Sequence, residues 1–153
     1  MQIRKLAESD YDRFIALYAQ LEQLHLQARP DYFILRNDAY PKDAFLHNLG
    51  YPGGLELGAF DGGNLVGFAE ATLWEKSGMR TDLKTVCLDN IYVLPEGRRR
   101  GIAKALFRDV EDWARAQGAV RLDLHVWDFN KNALALYEAM GMDYQYHVME
   151  KKL

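Results

Sequence analysis

A chain of 153 residues, 49% hydrophobic and 27% charged, has the size and balance of one ordinary globular domain, which excludes collagen-like or low-complexity organisation. Its net charge of −3 argues against a dedicated nucleic-acid binder, whose footprint is a basic surplus, but permits a local basic pocket. No stretch approaches the roughly 18 uninterrupted apolar residues of a membrane span, and Met1 to Glu8 lacks the apolar core of a signal peptide, so no membrane partner is expected.

Ile3 to Leu6 reads as a short opening strand. Ser9 then offers a helix N-cap, with Asp10 and Asp12 favourable to the helix dipole. Phe14, Leu17, Tyr18, Leu21, Leu24 and His25 recur at helical spacing and stop before Arg29-Pro30. A second short helix is predicted from about Pro41 to Asn48, punctuated by Gly50 and Pro52-Gly53-Gly54. Leu55, Leu57 and Ala59 then alternate with Glu56 and Gly58. The turn Asp61-Gly62-Gly63-Asn64 leads back into Leu65 to Trp74, giving a β-hairpin. The polar run Glu75 to Asp82 reads as a loop, and Thr85 to Leu94 as a central strand apolar on both faces. Cys87, the lone cysteine, cannot form an intramolecular disulfide. It reads as a small buried hydrophobe between Val86 and Leu88, in keeping with a reducing cytoplasm.

Gly101 opens a helix with an apolar stripe of Ile102, Ala105, Leu106, Val110, Trp113 and Ala114, closed by Gly118. Val120, Leu122, Leu124 and Val126 alternate as a further strand. Asn132 to Met140 forms a last helix stopped by Gly141, and Tyr144 to Leu153 a terminal strand. There is no internal repeat or linker. The expectation is one α/β domain over residues 1–153, with a mixed, mainly antiparallel central sheet flanked by helices on both faces.

Between Leu94 and Ala103 the chain leaves a buried strand, passes Gly97 and Arg98-Arg99-Arg100, and enters a helix near Gly101. A helix N-terminus carries unpaired N–H groups and partial positive charge, and Gly101 and Ala103 keep bulky side chains away from them. Three arginines alone would describe a solvated basic turn. Set after a buried strand and before small residues, they describe a pyrophosphate cradle. It is neither a Walker loop nor a Gly-x-Gly-x-x-Gly dinucleotide turn.

Arg98-Arg99-Arg100-Gly101-Ile102-Ala103 resembles the Arg/Gln-x-x-Gly-x-Gly/Ala signature of the GNAT superfamily of N-acetyltransferases. Leu88-Asp89-Asn90-Ile91-Tyr92-Val93-Leu94-Pro95-Glu96 is similar to that family's central strand and its exit. Asn130 to Glu138, with Gly141, is similar to a second family motif. The resemblance implies direct acetyl transfer from acetyl-CoA to an amine, with no metal. It places Arg98, Arg99, Arg100, Gly101, Ile102 and Ala103 at the pyrophosphate. It also implies that Ile91, Tyr92 and Val93 pair with pantetheine through their backbone, a main-chain N–H there polarising the thioester carbonyl.

By the same resemblance, Tyr137 is the candidate general acid for the departing thiolate, against a tyrosine merely packed beside Ala133 and Met140. Asn130 either bridges to pantetheine or caps its helix. An alkylammonium, with a pKa of roughly 10, must lose a proton before it attacks. Asp89 is the candidate base, directly or through water, or else a recognition residue for a cationic acceptor; Glu70 is the alternative base. Asn90 departs from the family, many members having a second carboxylate there. His125 and His147 read as structural, and no His/Cys/Asp cluster has metal-ligand spacing.

Family position puts Glu22, His25, Asp31, Tyr32 and Phe33 near the acceptor, a set suited to an ammonium-bearing small molecule or a peptide N-terminus; the same aromatics also suit sealing the helix against the sheet. Too few residues follow Gly141 for the family's two long terminal strands, and an exposed final edge points to a homodimer. A non-catalytic acyl-CoA-binding sensor is the alternative, since it would need no Tyr137. A nucleic-acid module built on the three arginines lacks a wider basic stripe.

Overall fold

The computed structural model describes residues 1–34, 40–75 and 83–153. Five strands, β1 (Gln2–Lys5), β2 (Gly54–Asp61), β3 (Asn64–Glu75), β4 (Lys84–Val93) and β5 (Arg121–Leu124), form one sheet in chain order. The first three pairings are antiparallel; β4 and β5 run parallel. This is the mixed, mainly antiparallel sheet expected from the sequence.

Helices α1 (Tyr11–Ala28) and α2 (Lys42–Gly50) cover one face, and α3 (Ile102–Ala116) and α4 (Lys131–Ala139) the other. Strand alternation sorts the core accordingly. Leu55, Leu57, Ala59, Ala69 and Ala71 pack with Leu106, Phe107 and Val110 of α3. Phe60, Phe68 and Tyr92 point the other way, into Phe14, Leu17, Leu21 and Phe45. Phe14 is the hub of that second core, 4.9 Å from the Phe45 ring and 5.0 Å from Phe68.

Three sequence expectations are corrected. Ser9 is not the cap of α1, because a 3-10 turn over Glu8–Asp10 intervenes and makes Asp10 the residue before the helix. The buried Asp10 carboxylate accepts from Ala7 N–H at 2.9 Å and from Arg4 Nη1 at 2.7 Å, and that guanidinium holds it below the usual carboxylate range. β5 is shorter than expected, ending at Leu124 and leaving Val120 and Val126 outside it.

The terminal strand is absent as well: residues 143–153 join no ladder among the described residues. Tyr144, Tyr146 and Val148 alternate as a strand would, but all three are exposed and no helix covers them. Without a buried face, alternation has no core to satisfy. Side chains hold the segment instead. Gln145 donates to Asp123 at 2.7 Å, Tyr146 Oη lies 2.8 Å from His125 Nε2, and Glu150 pairs with Arg29 at 2.9 Å. Of the polar loop predicted from Glu75 to Asp82, Glu75 ends β3 and residues 76–82 lie outside the described residues.

Candidate active site

β4 organises the site. It pairs with β3 along its whole length, but with β5 only from Thr85 to Leu88. Beyond Leu88 the edge of β4 that faced β5 has no strand neighbour among the described residues, so Ile91, Tyr92 and Val93 border a wedge between diverging strands. Backbone groups on such an edge are open to an extended ligand.

β4 leads through a 3-10 turn, Pro95–Gly97, into the arginine loop. Gly101 precedes α3 with φ of +81°, the left-handed region that glycine enters freely. A Cβ added there would meet no atom within 4 Å, so the glycine serves the backbone turn and leaves open space above the helix end. The first bond into α3 runs from Ala105 N–H to Gly101 C=O, leaving the N–H groups of Ile102, Ala103 and Lys104 with no such acceptor.

The three arginines are not equivalent. Arg98 Nε donates to Val93 C=O at 3.1 Å, and its guanidinium lies 5.7 Å from the Tyr92 ring centroid. Arg100 pairs with Asp61 of the hairpin turn at 2.7 Å. Arg99 is exposed, with no ion-pair partner among the described residues and φ of +64°. Free N–H groups, open space and an unpaired guanidinium make this loop fit a pyrophosphate.

Tyr137 is 9% exposed and packs in the α3 core, in one cluster with Val93 of β4, its ring 6.2 Å from Phe107. Its hydroxyl has no hydrogen-bond partner among the described residues, and burial pushes the phenol up to about 12. Asn130 caps α4, its side-chain oxygen accepting from Ala133 N–H at 3.2 Å. Oδ1 is thus used for the cap, and the Asn130 amide N–H groups stay unengaged among the described residues.

The opposite face of the sheet carries the carboxylates. A β-bulge shifts the β3–β4 register, so that Glu70 faces Asn90 while Ala71 faces Leu88, with Asp89 as the extra residue. Asp89 accepts from Thr72 Oγ1 at 2.7 Å, and Asn90 Nδ2 donates to Glu70 Oε2 at 2.8 Å. Thr72 and Glu70 are two apart on β3, so the bulge turns two consecutive β4 side chains to the α1/α2 face. Asp89 keeps an open side, but surrounding protein atoms hold its carboxyl above the ordinary range, a shift opposed by hydrogen bonds from Thr72 and the Cys87 thiol. Cys87 is thus buried as expected and is also a polar contact of Asp89.

Glu70 is 4% exposed and accepts from Tyr40 Oη at 2.7 Å, while Asn48 Nδ2 donates to that hydroxyl at 2.8 Å. Directly opposite on β2 stands Glu56, 7% exposed, whose Oε2 is a buried oxygen without a hydrogen-bond partner. Burial, reinforced by the charge of Glu70, pushes the Glu56 carboxyl up to about 10. The sequence reading missed Glu56, Tyr40, Asn48 and Thr72. Glu56 alternates with Leu55 and Leu57 and reads as solvent-facing, yet its face lies under the helices.

Of the residues assigned to the acceptor, His25, Tyr32 and Phe33 cluster, the Phe33 ring lying 5.3 Å from both the His25 and the Tyr32 rings. His25 Nδ1 lies 3.0 Å from Leu21 C=O, and burial lowers its pKa. Asp31 pairs with Arg29, while Tyr32 and Phe33 pack edge-on to Trp127 at 5.0 and 5.3 Å. These contacts join the rings to one another and to Trp127, while Tyr32 itself stays 63% exposed. His125 and His147 make ring contacts with Tyr146 and Tyr144.

Comparison with known proteins bears on this geometry. Residues 18–142 match the family described as "Acetyltransferase (GNAT) family". The thialysine N-epsilon-acetyltransferase of Caenorhabditis elegans is 42% identical over 53 residues, 35% of this chain and 33% of that one. The enzyme of the same name from Bos taurus is 30% identical over 149 residues, covering 92% of this chain and 83% of that one. Among solved structures, a mutant of the BH1408 protein from Bacillus halodurans superposes with a TM-score of 0.93 at 24% identity, covering 100% of both chains. The aminoglycoside N-acetyltransferase AAC(6')-Iy, bound to a bisubstrate analogue containing CoA, gives 0.79 at 23% identity, covering 99% of this chain and 97% of that one.

Proposed function

This chain belongs to the GNAT acetyltransferase family and is an N-acetyltransferase, and from that premise we propose that it moves an acetyl group from acetyl-CoA directly to a primary amine of a small molecule or peptide. The observation that carries this reading is the wedge where β4 outruns β5. The helix end beyond it suits a phosphate, and Tyr137, buried in the cluster that includes Val93, has a hydroxyl with no hydrogen-bond partner among the described residues. The CoA-bound fold of AAC(6')-Iy supports the donor, and the thialysine acetyltransferases support a small amine acceptor.

In this reading the N–H groups of Ile102 and Ala103, with Gly101 and Arg99, hold the pyrophosphate, while Arg98 and Arg100 shape the loop around it. The backbone of Ile91 to Val93 and the Asn130 amide hold the pantetheine arm. An N–H on that β4 edge supports the oxygen that gains negative charge as the amine attacks. Acetyl-CoA supplies an activated acyl group, and the residues around it manage protons. Asp89, open to solvent on the acceptor side, accepts the ammonium proton directly or through water. Glu70 is less suited to that role, because it is covered and already accepts two hydrogen bonds. Tyr137 keeps its proton on Oη at neutral pH and presents it to the departing sulfur. A free thiol has a pKa of about 8.5, but the burial that weakens the phenol as an acid also raises a thiol beside it, which narrows the gap.

A homodimer is part of the proposal. Exposed Val148 and Met149 lie on the terminal segment that follows β5, an edge strand, in the chain, and a second copy would cover them. A monomeric mass in sedimentation at micromolar concentration would refute it. Cytoplasmic residence is also proposed, from the lone reduced Cys87. No helix among the described residues is long and apolar enough to cross a membrane.

The deciding experiment measures thiol release from acetyl-CoA against thialysine, an aminoglycoside, simple alkylamines and a peptide N-terminus. Acetyl-CoA consumption with at least one of these supports the reading. Tight acetyl-CoA binding with no turnover on any amine, and no product by mass spectrometry, would overturn it.

A further inference from the structure

The proposed acetyl transfer uses neither Glu56 nor Glu70, yet these are the two most buried glutamates described, standing opposite each other on β2 and β3. Among the described residues no Lys, Arg or His pairs with either. The titratable groups around them are Tyr18 and Glu22 of α1, Tyr40 before α2, and Asp89 of β4. None brings positive charge, and two carboxyls in such surroundings cannot both ionise, so the pair holds a proton.

Hydrogen-bond direction shows which member is charged. Asn48 donates to Tyr40, Tyr40 to Glu70 Oε1, and Asn90 to Glu70 Oε2. Burial pushes the Glu70 carboxyl up, but the hydrogen bonds that converge on it from Tyr40, Glu56 and Asn90 oppose that push, so the negative charge of the pair rests there. No donor reaches Glu56 Oε2, a buried oxygen left orphaned unless it carries the proton and gives it to Glu70. The consequence reaches Asn90. A planar amide with Nδ2 bound to a carboxylate must turn Oδ1 the other way, and that oxygen has no partner among the described residues. Asn90 Oδ1 and the Asp89 carboxylate, on consecutive residues of the bulge that both turn to the α1/α2 face, are thus two hydrogen-bond acceptors on that face.

We propose that Glu70 is a positioning residue for the acceptor: it carries the charge of a carboxyl pair that shares one proton with Glu56, and it fixes the Asn90 amide so that Oδ1, beside Asp89, receives the N–H groups of an alkylammonium. This rests on the reading that the acceptor is an amine. It deepens that reading by assigning specificity for a cationic head to an amide locked from behind. A free amide, able to flip, would offer N–H groups to the ammonium half the time; a locked one offers only oxygen.

Two measurements test it. With the best amine of the panel, Glu70→Gln raises the acceptor KM at least tenfold, changes kcat less than threefold, and leaves the acetyl-CoA KM unaltered. Asn90→Leu, which removes Oδ1, raises the acceptor KM similarly. Glu56→Gln keeps an N–H aimed at Glu70 and has a smaller effect than Glu70→Gln. An acceptor KM unmoved by Glu70→Gln, or a loss confined to kcat, overturns the proposal. Carboxyl carbon-13 NMR of the free enzyme gives a readout without turnover: Glu70 ionised and Glu56 protonated at pH 7, with the Asn90 side-chain amide resonances shifting in Glu70→Gln. The reverse proton assignment, or two ionised carboxyls, also overturns it. If no amine is acetylated, the acetyl-transfer reading fails while the NMR still decides the pair.

Discussion

Arg100 Nη2 lies 2.7 Å from Asp61 Oδ2, tying the phosphate loop to the β2–β3 hairpin turn. Of three consecutive arginines, this one is already neutralised by the protein, and the pairing holds Asp61 below the usual carboxylate range. Exposed pairs of this kind contribute at most about 1 kcal/mol, so the contact orients the loop more than it stabilises the fold. Arg99→Ala is therefore expected to weaken acetyl-CoA binding more than Arg100→Ala, with the difference shrinking as salt is added. Calorimetric titration at two salt concentrations checks the order; equal losses would remove the distinction between the two arginines.

Gly101→Ala separates backbone conformation from steric contact. The added methyl group meets nothing within 4 Å, so the cost is that of forcing alanine into φ of +81°, about 1–2 kcal/mol. Chemical denaturation should show a loss of that size with the fold retained. Acetyl-CoA affinity should fall further, because the helix end relaxes toward ordinary φ and its N–H groups lose their common aim.

Tyr137→Phe removes a hydroxyl that no described residue binds, so thermal stability should change by less than about 0.5 kcal/mol. If Tyr137 donates to the sulfur, kcat falls about 100-fold or more, with both KM values little changed. Full activity in the phenylalanine variant would leave the tyrosine a packing residue beside Phe107.

Glu56 makes stability depend on pH in a definite direction. Its pKa rises from an ordinary 4.5 when unfolded to about 10 when folded, so between those values the native state holds a proton that the unfolded chain lacks. Stability is fully present below the lower value and declines as pH rises toward the higher, with a slope of at most about 1.4 kcal/mol per pH unit. The melting temperature should drop from pH 5 to pH 9. Glu56→Gln should flatten that drop, and an unchanged pH profile in the variant would show that the slope comes from elsewhere.

Much of the fold was legible in the residues. Strict alternation in β2, the Asp61-Gly62-Gly63-Asn64 turn and the apolar stripe of α3 report local periodicity, which is a property of the chain itself. The arginine loop was legible for the same reason: strand, arginines, Gly101 and helix are contiguous, so Arg98 to Ala103 and the backbone of β4 come together by covalent order alone. The terminal strand was misread because its alternation was real but its partner was not. Pairing depends on whether another element arrives to cover a face, and Tyr144, Tyr146 and Val148 are left uncovered.

The carboxylate cluster on the α1/α2 face depends on two irregularities of register. A regular ladder extended from the Asp61–Asn64 turn would set Glu56 against Ala69, but the shift at Ala59/Phe60 moves it one place, opposite Glu70. A second bulge makes Asp89 the extra residue and brings Asn90 to Glu70. The sequence by itself determined most of the elements, the family resemblance and the contiguity of the arginine loop, because these follow from neighbours along the chain. Only the tertiary structure decided which carboxylates meet, because a one-residue slip between strands leaves local periodicity unchanged and exchanges every partner across the sheet.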